Sequence, residues 1–189
     1  YRPADLQDLQ QFLGTLPADE PLYWVGLGSN LLVRDGGIRG TAILPFGGLD
    51  TLKLLEGDKV RAGAGVSCAK VARFAARAGL VGAEFLAGIP GTMGGALAMN
   101  AGAYGFSMGD WVDNVTVIVS GKGLAELNRD QVDFRYRSSS FGDEVVVARC
   151  VLQLEEDDRG AIRAEMEQQL QVRKTTQPLG VKSAGCIFK

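Results

Sequence analysis

The chain has 189 residues, 20 basic and 22 acidic groups for a formal net charge of −2, 46% apolar residues, 26 glycines and no histidine. That length is one large domain or two small ones, and its apolar content builds a real core, which excludes disorder and collagen-like repetition. Balanced charge offers no basic field for nucleic acid or anionic membrane, and a chain without histidine runs neither a Ser-His-Asp nor a Cys-His mechanism.

Cys68, Cys150 and Cys186 are widely spaced and odd in number, a pattern that gives neither a metal-ligand set nor a disulfide framework. No metal is expected. With no apolar run of the roughly 18 residues that span a bilayer and no signal-peptide pattern from Tyr1 onward, the expectation is a cytoplasmic protein without membrane insertion.

In chain order, Leu6, Leu9, Phe12 and Leu13 share one helical face, with Pro3 near the start and Gly14 expected just past the end. Leu22 to Val25 reads as a buried strand running into the turn-rich Gly26-Leu27-Gly28-Ser29-Asn30 loop. Leu31-Leu32-Val33 and a polar turn at Arg34 to Gly37 precede a strand at Thr41 to Leu44. Leu52 to Leu55 and Lys59 to Ala62 read as strands joined by a Gly57-Asp58 turn. Ser67 is placed to cap a helix over Cys68 to Ala78, closed by Gly79, with Val71, Phe74, Ala75 and Ala78 toward the core. Gly88 to Gly109 holds seven glycines. Val115 to Val119 and Val145 to Leu152 carry the β-branched content of strands. Arg159 to Lys174 reads as a helix with Ile162, Met166 and Leu170 on one face, and Gly185 to Lys189 as the start of a strand. Mixed elements make the fold class α+β.

Two glycine-rich loops carry most of the chemical information. In Gly26-Leu27-Gly28-Ser29-Asn30-Leu31, small residues after a strand let backbone N–H groups converge on an anion, with side-chain donors from Ser29 and Asn30. The loop lacks the third glycine and the following helix of a Rossmann fingerprint, so taken alone it reads as an ordinary turn sooner than as a ligand site. The second, Gly88-Ile89-Pro90-Gly91-Thr92-Met93-Gly94-Gly95, runs on to Asn100-Ala101-Gly102-Ala103-Tyr104. Its glycines cost folding entropy, which either a flat ligand approaching the backbone or a close helix packing site explains.

Gly28 to Asp35, Gly88 to Gly105, Tyr136-Arg137-Ser138-Ser139-Ser140-Phe141 and Ser183-Ala184-Gly185-Cys186-Ile187-Phe188-Lys189 together resemble the UDP-N-acetylenolpyruvoylglucosamine reductase family over essentially the whole chain. The resemblance implies an FAD-binding fold of the vanillyl-alcohol-oxidase (PCMH) type. Two α+β subdomains, expected at residues 1–64 and 65–175, would hold non-covalent FAD between them, and 176–189 would begin a third, substrate-binding domain that is mostly missing. It also implies NADPH-driven reduction of the enolpyruvyl ether of a UDP-sugar to UDP-N-acetylmuramate, for peptidoglycan synthesis, by a monomer. Another FAD-dependent oxidoreductase of the same fold, or a catalytically incompetent flavin-binding fragment, is the alternative.

By resemblance, Gly26, Gly28, Ser29, Asn30 and Leu31, with Gly88, Ile89, Pro90, Gly91, Gly94 and Gly95, would bind the FAD diphosphate and ribityl chain, while Asn100, Ala101, Gly102 and Tyr104 would line the flavin. NADPH would reduce the flavin, and the substrate would then take hydride at its methylene carbon. Arg137 matches the arginine that stabilises the resulting enolate, a task suited to a planar guanidinium that never deprotonates; without the motif it would read as a surface ion pair. Cys186 stands where most relatives have a proton-donating serine. A thiol of ordinary pKa near 8.5 is mostly protonated at neutral pH and able to donate. Cys68 and Cys150 read as inert core. Tyr136, Arg173, Lys174 and Gln177 are expected near the UDP-sugar, although Arg173 and Lys174 also suit helix C-terminal capping. No tyrosine-bearing insertion precedes Cys186, as in the family's second type. The family's catalytic glutamate lies beyond Cys186, so the expectation is a longer natural protein.

Overall fold

The computed structural model describes residues 1–17, 19–119, 123–142 and 145–178. Its N-terminal layer starts with helix α1, Leu6–Thr15, whose first-turn N–H of Asp8 is accepted by the Asp5 carboxylate at 2.8 Å. Gly14 lies inside the helix instead of beyond it, because the last turn runs on to Thr15, whose hydroxyl donates to the Phe12 carbonyl. Tyr1 stacks on Phe12 with ring centroids 3.6 Å apart and donates to Asp8. Strands β1, Leu22–Trp24, and β2, Thr41–Ile43, pair in parallel. Leu31 to Val33, between them, is in no strand, and Leu32 is 94% exposed.

The second layer is a five-stranded antiparallel sheet. Strands β3, Leu52–Leu54, and β4, Lys59–Gly63, form a hairpin. In the three-residue turn between Leu55 and Lys59, Gly57 and Asp58 both have positive φ, 67° and 59°, the left-handed backbone by which the chain reverses there. Gly79, at φ 80°, closes helix α2, Cys68–Ala78, as its left-handed cap, and β5, Leu80–Val81, follows. A 3-10 turn over Glu84–Gly88 leads to α3, Met93–Ala98. Next come a small hairpin of β6, Gly102–Ala103, and β7, Phe106–Ser107, and the single turn α4, Met108–Trp111. The long strands are β8, Val112–Val119, and β9, Gly123–Asn128. A second small hairpin pairs β10, Phe134–Arg135, with β11, Ser138–Ser139, and β12, Val145–Gln153, then enters the sheet. Strand β13, Glu155–Glu156, pairs with β5, and α5, Arg159–Thr176, closes the described chain.

The sheet order is β3-β4-β12-β8-β9. It therefore unites strands on both sides of residue 64, the division expected between the two subdomains. Strand β9, Gly-Leu-Ala-Glu-Leu-Asn, has no β-branched residue and so carries no strand signal in the sequence. Pairing decides it: its alternate residues are half-buried against β8, from Val119 opposite Gly123 to Asn114 opposite Asn128.

The two faces of the sheet serve two cores. One face buries Val60, Ala62, Val117, Cys150 and Leu152 against Val71, Ala75, Phe85, Leu86, Met93 and Leu97 of the helical layer. Part of the other face, Ile118, Val146 and Ala148, packs on Leu9, Ile43 and Leu49 of the N-terminal layer. Helix α5 contributes Ile162 and Gln169 as its buried positions, with Met166 packed on the main core. The stripe read from sequence thus faces inward.

Cys68 and Cys150 are buried, and burial pushes both thiols from 9.0 up to about 12. A buried neutral thiol whose folded pKa is raised stabilises the fold below pH 9, and that contribution is lost as pH climbs from 9 toward 12. In a Cys186→Ser variant, a thiol reagent at pH 8 should modify neither remaining cysteine until denaturant is added. Urea midpoints should fall as pH is raised above 9. Prompt modification in the native state, or a flat midpoint, would contradict this account.

Candidate functional site

The loop after β1 and the loop before α3 meet although some sixty residues separate them. The first leaves the sheet at Val25, whose N–H bonds the Ile43 carbonyl, and turns at Gly28 with φ 73°. The second leaves the 3-10 turn at Gly88 and passes Ile89, Pro90 and Gly91 before Thr92 pairs with Ser67 as an isolated bridge. The Ser29 hydroxyl donates to the Pro90 carbonyl at 2.5 Å. Side-chain volume confirms how closely the loops approach. A Cβ on Gly26 would stand 2.6 Å from Thr92 Oγ1, inside any real contact, so glycine is required there.

Among the described residues, no acceptor meets the backbone N–H groups of Leu27, Gly28, Ser29 and Asn30. Consecutive free N–H groups in a glycine turn form a concavity of positive potential suited to phosphate oxygens. Leu27 and Leu31 flank it as exposed apolar surface. Gly95 opens onto space, whereas Gly94 lies against Ala64, where a Cβ would stand 3.0 Å from the alanine methyl. The diphosphate and apolar parts of a dinucleotide cofactor fit these residues. Arg173 also arrives here: a Cβ on Gly88 would lie 3.2 Å from its Cδ, so the last turn of α5 covers this end of the loop. Lys174 and Gln177 remain exposed beside it, and the Gln177 N–H caps the Arg173 carbonyl.

Beyond α3 a cavity of about 410 Å³ opens between the two small hairpins, lined by Asn100, Gly102, Phe106, Phe134, Tyr136 and Arg137 among others. Each hairpin turns in two residues. Tyr104 and Gly105 turn the first, both with positive φ, and Tyr136 and Arg137 turn the second, with Arg137 at φ 55°. A non-glycine residue in that region costs of order 1 kcal/mol and persists only where its surroundings hold it. Tyr136 is 76% exposed, and the Arg137 guanidinium lies 5.7 Å from its ring centroid.

Not every residue expected at the ligand faces the cavity. Ala101 is buried in the core, with its N–H bonded to the Ala96 carbonyl. The Tyr104 hydroxyl donates to the Gln169 carbonyl at 2.6 Å, fastening the first hairpin to α5. Asn100, at φ 39°, spends both ends of its amide on the framework. Its Oδ1 accepts from the Gly109 N–H at 2.9 Å and its Nδ2 donates to the Arg135 carbonyl at 3.0 Å, so one side chain ties α4 to the Arg137 hairpin.

Arg129 and Phe134 were not expected in the site. Arg129 donates to the Gly109 and Val132 carbonyls, and its guanidinium lies 4.9 Å from the Phe134 ring centroid. Phe134 presses on Gly109, where a Cβ would come within 2.7 Å of its own Cβ. Nothing in residue spacing announces this cluster, which exists only once α4 and β10 are packed together. Upstream, Glu84 opens the 3-10 turn that leads to Gly88. One carboxylate oxygen accepts the Gly82 N–H at 2.8 Å while burial pushes its pKa up. Cys186 lies outside the described residues.

Replacing Asn100 with alanine orphans the buried Gly109 N–H, while the Arg135 carbonyl stays exposed to water, and should cost about 1–3 kcal/mol in urea unfolding. Asn100→Gly relieves the left-handed backbone but restores neither bond, and should recover only up to about 1 kcal/mol of that loss. A neutral Asn100→Ala variant would show that the amide bonds carry no weight.

The FAD binding domain family matches residues 1–126. Curated relatives from Alkalilimnicola ehrlichii and Nitrosococcus oceani, both named UDP-N-acetylenolpyruvoylglucosamine reductase, are 50% and 46% identical over all of this chain and 63% of theirs. The chain thus spans a little under two thirds of the length of the curated relatives it matches. The solved structure of the reductase of that name from Thermus caldophilus is 35% identical with a TM-score of 0.84, covering all of this chain and 66% of that one. Cholesterol oxidase from Brevibacterium sterolicum, at 18% identity and a TM-score of 0.58 over 82% of this chain and 34% of its own, shares the fold. With a family match across two thirds of its length and two glycine loops assembled into one anion-receptive surface, the chain belongs to the FAD binding domain family.

Proposed function

We propose that this chain is the flavin-binding part of a UDP-N-acetylenolpyruvoylglucosamine reductase, acting on a UDP-sugar with NADPH as reductant in peptidoglycan synthesis, as a cytoplasmic monomer. The observation that carries the reading is the 50% identity to a reductase of that name along the entire chain. The cradle and the arginine-tipped cavity supply the chemistry it needs.

FAD, held non-covalently, would supply hydride-transfer chemistry. The N–H groups of Leu27 to Asn30 would take its diphosphate, with Gly88, Ile89, Pro90 and Gly91 forming the opposite wall against which the Ser29 hydroxyl is braced. Gly95, open to space, would leave room beside α3 for a flat ring, whereas Gly102 abuts the Phe106 carbonyl of its own hairpin. Ala101 and Tyr104 act behind this surface, as packing and as a tie to α5.

Arg137 would pair with the carboxylate of the enolpyruvyl group. As hydride reaches the methylene carbon, negative charge spreads from the neighbouring carbon into that carboxylate, where a permanently charged fork lowers its energy most. A proton from the Cys186 thiol would then complete the reduction at that neighbouring carbon. Tyr136, exposed beside Arg137, would contact the sugar, while Arg173, Lys174 and Gln177 would meet the UDP diphosphate at the end of α5. The left-handed φ of Arg137 supports this assignment, since backbone strain is retained where it aims a functional side chain.

The test separates the two half-reactions in the full-length protein. NADPH should bleach the flavin band, and the enolpyruvyl UDP-sugar should restore it. Arg137→Gln should slow restoration by about 10²–10³-fold, the range for losing one oxyanion-stabilising donor, with bleaching unchanged. Cys186→Ala should slow the same half-reaction. Absence of a flavin band in the wild type, or equal loss in both half-reactions, would overturn the reading.

A further inference from the structure

The sheet face that carries Ile118, Val146 and Ala148 is only half covered by the N-terminal layer. The uncovered half forms a second concavity of about 130 Å³, lined by Lys59, Arg61, Asp113, Thr116, Glu126 and Arg149 among others. None of its lining residues belongs to the glycine loops or to the cavity beside Arg137.

Strand register sets the arrangement. Arg61 lies opposite Lys53 on one side and Val151 on the other, while Arg149 lies opposite Thr116 and Gly63. On one face of an antiparallel sheet, Arg61 and Arg149 are therefore diagonal neighbours, within reach of long side chains. Their like-charged juxtaposition, with Lys53 directly opposite Arg61, is unfavourable unless an anion offsets it.

Of the two carboxylates in the groove, Asp113 is engaged by Lys59 at 2.9 Å, and Glu126, opposite Thr116, forms no ion pair among the described residues. The Arg149 Nε donates to the Thr116 hydroxyl at 3.1 Å, and among the described residues its two terminal amino groups make no hydrogen bond. Arg61 Nε is buried and has no partner among the described residues. Among the described residues, neither arginine has a carboxylate within 4 Å, Glu126 included. A buried guanidinium N–H without an acceptor calls for a bound anion or water, and two forks facing one concavity match an oxyanion.

We propose that Arg61 and Arg149, helped by Thr116, form an oxyanion site that takes a phosphate group. Lys53 reinforces the local potential. The site is smaller than the roughly 300 Å³ of a small-molecule pocket, so it accepts a phosphate and not the body of a nucleotide. The phosphate comes either as the free ion or as the terminal group of a small monoester whose remainder stays in solvent. This site is independent of the flavin chemistry and stands whatever reaction the protein performs.

The experiment titrates the protein with inorganic phosphate, and separately with glycerol phosphate, at ionic strength held constant with chloride. The readouts are the NMR shifts of the Arg61 and Arg149 Nε–H groups and the thermal midpoint. Saturable shifts and a raised midpoint are expected, with at least tenfold weaker binding in Arg61→Gln and Arg149→Gln. Arg61→Lys, which keeps charge and stem but loses the fork, should also weaken binding and guards against a variant that misfolds. Arg77→Gln, on the far side of α2, should bind as the wild type. Tighter binding of inorganic phosphate identifies the free ion as occupant, and tighter binding of glycerol phosphate a monoester. Linear, unsaturated shifts with both probes, or saturation that survives in the Arg61→Gln, Arg149→Gln double variant, would overturn the proposal.

Discussion

The contact between Ser29 and Pro90 is the constraint on which the rest of the site depends. It is one hydrogen bond at 2.5 Å, yet it closes a gap that the chain opens over some sixty residues. Glycine makes it attainable. At Gly26 the backbone comes so near Thr92 that no side chain fits, and Gly91 adopts φ 151° beside the Ser29 hydroxyl. Each glycine costs folding entropy relative to a residue with a side chain, and here the return is a surface of unspent N–H groups. The same approach brings the N-terminal layer onto the sheet, where Leu9, Ile43 and Leu49 meet Ile118, Val146 and Ala148 in a small shared core.

Strain is distributed unevenly. Among the described residues, four besides glycine have positive φ: Asp58, Asn100, Tyr104 and Arg137. Asp58 serves a tight turn far from the glycine loops, but the other three surround the cavity beside α3. Asn100 is held by two amide bonds, Tyr104 by its hydroxyl on α5, and Arg137 by a hairpin that Phe134 and Arg129 press against Gly109. Residues expected to touch a ligand thus divide into those that face open space and those that hold the others in place. Asn100 does both, lining the cavity with its body while its amide braces the framework.

Much of the fold was legible because local physics and tertiary packing agree. Helix α2 runs from Cys68 to the Gly79 cap as its alanines, Val71 and following glycine predict, although the Ser67 side chain expected to cap its start makes no cap bond. Strands β8 and β12 announced themselves through β-branched runs. Where the two levels differ, tertiary structure prevailed: β9 exists through pairing, Gly14 is absorbed into α1 because Thr15 completes its last turn, and Leu31 to Val33 stays outside any strand. The glycine loops and the arginine motif were legible by their resemblance to a family, whereas Arg129, Phe134 and the arginine pair at 61 and 149 carry no motif at all.

By itself the sequence determined the α+β class, the chemistry denied to a chain without histidine, and the two loops able to expose backbone donors. These properties belong to residue types and to short-range spacing, which act before any long-range contact forms. Only the tertiary structure decided that Ser29 would meet Pro90, that Asn100 would turn its amide inward, and that β3 and β4 would join the sheet of β8, β9 and β12. Such outcomes depend on which distant backbone groups find partners once water is excluded, and a linear pattern does not encode that competition residue by residue. The glycine excess noted at the outset is where the two meet: its positions were plain in the chain, and their purpose became plain when the loops closed on each other.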